Sequence, residues 1–436
     1  MSRVVVLGGG FGGTAAAARL AKQGHEVTVV ERLDRLGGAV GFIEQDGFRW
    51  DSGPTSTALP AVLRDLFRKS GRPLERELDL VPVEPMREHR FADGTVLAMP
   101  SGSRAAQLEA VEGALGGGLG RQWVDHVHGF AETWDVLRRS YLEHPYSPDH
   151  LDKEALALLH TRTTMHKVVT RAFKDERLRD LALVSTLMDG HDPRQVPAWM
   201  GMWAYVEQNF GRWTVPGGLG ALAAAMTKRL AERRVQVLLG TRAHDLRLQG
   251  GRVVGVTTDQ GTLDADVVVC AIDPRGLPAL APYVARTMPA IPPMVCHLGL
   301  EGELPDLPHE VVLHGGAQDP TLVVRTHGTA PEGGAAWTVL VRGRRPEDVV
   351  LTMARAGLDV RRQVVSRVDR SPHDQVEELG GAAYGVLWQG RATIVRKLES
   401  APFEGVYAAG VHAAAGAGLP FVGLASAVVA ERVGPA

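Results

Sequence analysis

Val4-Val5-Val6-Leu7-Gly8-Gly9-Gly10-Phe11-Gly12-Gly13 is the stretch on which the rest of the chain is read. Its first four residues are a β-branched, apolar run of the kind that forms a buried parallel strand. Glycines 8, 10 and 13 satisfy G-x-G-x-x-G. Gly8 lets the chain turn sharply after the strand, Gly10 lets backbone approach a pyrophosphate, and Gly13 lets a helix pack close to the sheet. The Ala-rich segment from Thr14 to Gln23 is strongly helical, with Gly24 as its stop. The helix start, including Phe11 and Gly12, turns unpaired N–H groups toward the phosphates. A valine at position 10 is expected to fill the phosphate's space and to resist an unusual φ.

A second strand, Glu26 to Val30, ends at Glu31. This carboxylate is placed to accept hydrogen bonds from an adenosine ribose. Strand, glycine turn, helix, strand and acid stand in the order of one dinucleotide-binding βαβ unit. The continuation Arg32-Leu33-Asp34-Arg35-Leu36-Gly37-Gly38 supplies a second close backbone approach. That suits a cofactor buried along its length, FAD, better than a diffusing nicotinamide.

Composition narrows the alternatives. The 436 residues carry 48 basic and 50 acidic side chains, a formal charge of −2, so no nucleic-acid partner is expected. Two cysteines, Cys270 and Cys296, allow neither a disulfide scaffold nor a thiolate metal centre, and no metal site is expected. There is no basic leader before the first strand and no apolar run of about 18 residues. A reducing, cytoplasmic setting is expected, with contact to a membrane surface left open.

Four separated segments together resemble the flavin-containing amine oxidases and, more closely, the phytoene (carotenoid) desaturase-like oxidoreductases. They are the fingerprint with Glu31, Arg32 and Gly37-Gly38; Asp51-Ser52-Gly53-Pro54-Thr55; Trp213 to Leu222; and Gly405 to Gly410 followed by Gly416-Ala417-Gly418-Leu419-Pro420. The resemblance implies an FAD-dependent oxidoreductase of α/β class. A discontinuous Rossmann-like FAD domain would take residues 1–75, 212–274 and 375–436. A mixed α+β substrate domain would take 76–211 and 275–374. It further implies that Gly53, Pro54 and Thr55 approach the flavin, that backbone at Ala243 meets the adenine, and that Gly410, Gly418, Leu419 and Pro420 line the cofactor. A final helix from about Gly423 to Arg432 would present its positive end to the reduced ring.

Strands are read at Val235–Leu239, Thr241–Leu248, Arg252–Thr258, Ala265–Ala271 and Val406–Ala409, with a hairpin turn at Gly250-Gly251. In the substrate half, Trp123, Val127, Phe130, Trp134 and Leu137 read as one face of a single helix. Trp199, Trp203 and Phe421 are candidates to contact an apolar, planar or polyene-like substrate. Candidates for the base that takes the proton left after hydride transfer are His412, Glu207 and Tyr205, with His191-Asp192 nearby in type.

The chain departs from the desaturase pattern in three ways. Ala413-Ala414-Ala415 replaces the family's Thr-His-Pro, its histidine is displaced to His412, and Phe421 stands where glycine is usual. These departures weaken the case for a long carotenoid and leave the FAD site intact. The expected chemistry is hydride transfer from an apolar small molecule to flavin N5, with electrons passed on to oxygen, a quinone or another acceptor. The rival readings are a flavin-dependent isomerase, an amine oxidase, and a lipid-binding carrier that has lost the chemistry.

Overall fold

The β-branched run at residues 4–6 becomes the middle strand, Arg3–Leu7, of a five-stranded sheet. Its order is Val406–Ala408, Val267–Cys270, Arg3–Leu7, Glu26–Val30 and Gln236–Leu238, and every neighbouring pair is parallel. The computed structural model describes residues 1–144, 151–315, 320–343, 348–389, 403–413 and 415–436. Both faces of the sheet are covered, which is why its strands read as unbroken apolar runs rather than alternating ones. One face takes the helix Phe11–Lys22, whose Ala15 to Ala18 are fully buried. The other takes the small antiparallel sheet Ala243–Gln249, Arg252–Thr258 and Gly261–Asp264. Gly250 and Gly251, at φ +60° and +80°, make the hairpin turn between the first two of those strands.

A second, seven-stranded sheet runs Val364–Arg370, Met294–Glu301, Gly334–Arg342, Thr321–Arg325, Glu310–Leu313, Arg87–Arg90 and Val96–Met99. It is antiparallel except where Glu310–Leu313 meets Arg87–Arg90. The hairpin Phe42–Gln45 and Phe48–Asp51 leans on it, and Trp50 donates its indole N–H to the Leu298 carbonyl at 3.1 Å. A layer of helices packs between residues 104 and 210.

Two sequence expectations need correcting. The aromatic face from Trp123 to Leu137 is buried throughout, but it spans two helices, Leu119–His128 and Ala131–Leu137. Gly129 closes the first, and Phe130 leaves helical geometry at ψ 3° before the second begins. A glycine in a helix interior costs about 1 kcal/mol relative to alanine, which makes it the natural break. The final helix is Leu419–Val433 and starts earlier than Gly423, because Pro420 sits in its first turn, where a missing N–H costs nothing. Among the described residues no helix is long and apolar enough to cross a membrane.

Candidate functional site

The glycine turn is built as its spacing requires. Gly8 takes φ +99°, and its N–H bonds the Val30 carbonyl at 2.8 Å. A side chain at Gly13 would place Cβ 1.9 Å from the Gly8 oxygen, so helix and strand touch backbone to backbone. Gly10 differs: it sits at φ −67°, an ordinary extended value, and a Cβ there would meet nothing closer than the Gly38 Cα at 3.9 Å. The expectation of an unusual φ at Gly10 is therefore corrected. What a valine would violate is space alone.

Gly37 donates to the Gly9 carbonyl at 2.8 Å, which brings Gly37-Gly38 alongside Gly10. No side chain caps the first turn of Phe11–Lys22. Its N–H groups and the open side of Gly10 make a concavity for an anion. Glu31 is buried, with one carboxylate oxygen accepting from Gly9 N at 2.6 Å and the other from Leu33 N at 2.8 Å. Each oxygen keeps a lone pair for a hydroxyl donor. Thr241 N bonds the Glu31 carbonyl at 2.9 Å, so the strand beginning at Ala243 starts beside this acid. Arg32 is used otherwise than expected. Its guanidinium is spent on the carbonyls of Glu377 and Glu378 at the end of the helix Pro372–Leu379, where a cation complements the helix terminus.

The loop Gly53-Pro54-Thr55 closes on the residue after Gly37-Gly38: a Cβ on Gly53 would stand 2.3 Å from the Ala39 oxygen. Arg325 donates to the Gly53 carbonyl at 3.2 Å and Thr214 to the Thr55 carbonyl at 2.7 Å. Asp51 accepts from Leu219 N at 3.1 Å and Gly220 N at 2.6 Å, which ties the Trp213–Leu222 return to this loop. Burial pushes the Asp51 carboxyl up to about 6 in spite of those two bonds. From the far end of the chain, Gly410 comes so close that a Cβ on Gly12 would lie 2.7 Å from its Cα. Gly418 then begins the last helix with no side-chain cap, leaving a second helix start open beside Leu419 and Pro420.

Two clefts flank these loops. One is lined by Gly38, Asp51, Gly53, His297, Arg325 and Tyr384, among others. The second is walled by Tyr141, His191, Tyr384, Trp388, His412 and the segment Ala415–Ala417. Tyr384 belongs to both.

The aromatic candidates stand just behind the second cleft. Trp199 is buried edge-on against Trp388 (5.3 Å between centroids) and Tyr141 (5.9 Å). Trp203 stacks on Phe421 at 4.6 Å, and Phe421 packs beneath Gly416. The side chains that face the cleft, Tyr141 and Trp388, escaped the sequence reading. Neither lies in a periodic pattern or a motif, so no local signal marked them.

Of the three candidate bases, His412 lines one of these two clefts, and Glu207 and Tyr205 line neither. Glu207 is an anchor of charge instead. Arg87 Nη2 lies 3.0 Å and Arg212 Nη1 2.6 Å from its Oε1, while Glu310 takes Arg87 Nε at 2.6 Å and Arg325 Nε at 3.1 Å. Burial alone would raise the Glu207 carboxyl, but Arg87 and Arg212 outweigh it and hold it below its ordinary value. A carboxylate so held is a poor proton acceptor. Tyr205 packs on the helical core, on neither cleft. Ala414, which the resemblance sets at the family's histidine, lies outside the described residues.

Open backbone at Gly10, two helix starts without side-chain caps, the buried Glu31 and a cleft beside the glycine loops are features that suit an FAD along its length. Comparison with known proteins agrees: residues 11–379 match the family of flavin-containing amine oxidoreductases. The chain belongs to that family. It is an FAD-dependent oxidoreductase of the phytoene desaturase-like kind. The zeta-carotene-forming phytoene desaturase of Myxococcus xanthus is 32% identical over 379 residues, covering 78% of this chain and 72% of that protein. The 4,4'-diapolycopene oxygenase of a Methylomonas species is 25% identical over 99% of this chain and 98% of its own length. Putrescine oxidase, solved with putrescine bound, superposes with a TM-score of 0.70 at 15% identity, covering 99% of this chain and 98% of that one. At that identity the match shows the shared fold.

Proposed function

We propose that this flavoprotein desaturates an apolar polyene, taking hydride from a substrate C–H and leaving a new C=C bond. The observation that carries the reading is the second cleft, whose lining brings the aromatic rings of Tyr141 and Trp388 together with His412, Ala413 and Ala415–Ala417. Such a wall suits a planar, conjugated ligand. The named relatives are carotenoid desaturases and oxygenases, which supports the same substrate class. FAD held at Gly10, Glu31, Gly37-Gly38 and Gly53–Thr55 supplies the hydride acceptor. The chain's own part is to orient the substrate, exclude water and set the charge around the ring.

The substrate's route follows from its solubility. Tyr283, Met288 and Ile291 are exposed large apolar side chains, and they flank Val284 and Thr287 in the wall of the second cleft. Exposed apolar side chains close in sequence to the cleft wall suit contact with a lipid surface. Replacing Tyr283, Met288 and Ile291 together by serine should reduce co-sedimentation with phospholipid vesicles and leave FAD content unchanged.

The deciding experiment mixes the yellow holoprotein anaerobically with acyclic polyenes in detergent and follows the flavin absorbance. Bleaching of the flavin, with a product two hydrogens poorer, is the expected result. Bleaching by small polar amines and none by polyenes would overturn the reading in favour of amine oxidation.

A further inference from the structure

His412 is an imidazole with two unlike nitrogens. Its side chain is 8% exposed and forms part of the wall of the second cleft. Nε2 lies 3.9 Å from Oδ2 of Asp273, while Nδ1 is buried and has no hydrogen-bond partner among the described residues. The Asp273 carboxylate is fixed from the other side: Arg275 Nη1 stands 3.1 Å from its Oδ1, and Arg275 N donates to the same oxygen at 3.0 Å. Arg275 is itself anchored on the carbonyl and hydroxyl of Thr287, another cleft residue.

This arrangement selects a tautomer. A carboxylate facing Nε2 favours the proton there, which leaves the buried Nδ1 lone pair unengaged in a residue that lines the cleft. Burial lowers the His412 pKa, Asp273 acts to raise it, and Arg275 lowers it, so the ring rests neutral. The other titratable groups on the cleft are His191, Tyr141 and Tyr384. His191 is engaged: its Nδ1 accepts from Trp388 N at 3.4 Å. The network thus holds one histidine in the cleft as a structural acceptor and leaves the other with an open lone pair.

We propose that His412 accepts the substrate's proton at Nδ1, with Asp273 as the positioning residue that fixes the tautomer and steadies the imidazolium. This rests on the desaturase reading above. One substrate C–H breaks with its electron pair leaving as hydride to the oxidised flavin. The neighbouring C–H breaks with its proton going to Nδ1, and its electron pair becomes the new π bond. The substrate loses two hydrogens and two electrons, the flavin gains a hydride, and the imidazolium later gives its proton to water.

The test uses the FAD-loaded protein in two independent ways. In anaerobic rapid mixing with a polyene, His412→Gln should keep its flavin and slow flavin reduction roughly 10²–10⁴-fold, the range for loss of a general base. Without substrate, the ring titration of His412 is read by NMR on carbon-labelled histidine, its signal assigned by its loss in His412→Gln. Asp273→Asn should move that midpoint to lower pH, Asp273→Glu should return it, and Arg275→Gln should move it the opposite way. Unchanged flavin reduction in His412→Gln would overturn the proposal, and so would a midpoint indifferent to Asp273 and Arg275. If Asp273→Asn fails to fold, Arg275→Gln carries the titration arm alone. A wild-type flavin that no polyene bleaches would overturn the desaturase reading instead, and the titration would still report on the Asp273–His412 pair.

Discussion

The proposed cofactor cradle and the proposed substrate cleft are neighbours in space and opposites in construction. The cradle takes Gly8 to Gly13, Glu31 and Gly37-Gly38 from one short stretch, and its contacts are mostly backbone. The cleft takes Tyr141, His191, Arg275, Tyr384, Trp388 and His412 from across the chain, and its contacts are side chains. A ligand common to many chemistries can be held by backbone geometry, which glycine spacing encodes locally. A particular substrate must be met by side chains that only the finished fold brings together.

Substitutions can try to break that contrast. The largest effect is expected at Gly10. Gly10→Val leaves the fold's backbone geometry intact, because φ is −67° there and a Cβ has room, yet the added methyls fill the concavity. The protein should purify colourless with its cooperative unfolding transition retained. A variant with a full complement of FAD would show that the cradle is elsewhere.

Next comes the ion cluster that ties the seven-stranded sheet to the Gly53 loop. Glu310 is buried between Arg87 and Arg325, and Arg325 in turn donates to the Gly53 carbonyl. Glu310→Ala takes the carboxylate from Arg325 and leaves Arg87 with Glu207 alone, and breaking a buried pair in this way costs about 3–5 kcal/mol. Urea denaturation should show that loss as a lower midpoint. A stability within about 0.5 kcal/mol of wild type, the usual scatter for a surface change, would mean water reaches the cluster.

A smaller effect is expected at Glu31. Its oxygens already accept from Gly9 N and Leu33 N, so Glu31→Ala removes a brace of the turn as well as a ribose contact. FAD affinity should fall by about 1.5–3 kcal/mol, the worth of a charge-assisted bond. Titration calorimetry on the apoprotein measures it. An unchanged affinity would leave Glu31 with the turn alone.

The same contrast explains what the amino-acid sequence revealed. The strand Arg252–Thr258 and its Gly250-Gly251 turn were legible to the residue, because a strand's period and a turn's glycines are local. Glu31 is likewise marked out locally, by its place at the end of the second strand. The break at Gly129 was hidden because its aromatic neighbours stay buried on both sides of it. Glu207 looked like a free acid because its partners Arg87 and Arg212 are separate in sequence and meet it only across folded elements. Asp273 carried no signal at all. Its meaning depends on His412, which reaches it from the far end of the chain.

Acid sharpens the comparison, with the smallest effect per group. His89, His126, His191, His297, His309, His314 and His327 all have lowered pKa values, burial being the largest cause for each. They lie between residues 89 and 327, on the helical layer, the seven-stranded sheet and their loops. For those with a stated value it is about 3 to 4, against 6.5 in an open chain. Below pH 6.5 the unfolded chain therefore binds more protons than the native one. The stabilisation is complete above that pH and is lost as pH falls toward the native values. No imidazole can contribute more than about 1.4 kcal/mol per pH unit. Asp51, Asp180 and Asp189, each raised to about 6 chiefly by burial, act in the opposite sense: their contribution is present in acid and lost as pH rises through 6. With His412, whose pKa burial also lowers, eight imidazoles against three carboxylates leave a net loss of stability from about pH 7 to about pH 6. Urea midpoints at the two values, with an unchanged slope, measure the loss, and hydrogen exchange locates it. The strands Met294–Glu301 and Gly334–Arg342 should open before Arg3–Leu7, where the imidazoles are absent. Equal midpoints, or first opening in the parallel sheet, would mean that the buried histidines do not divide the molecule in this way.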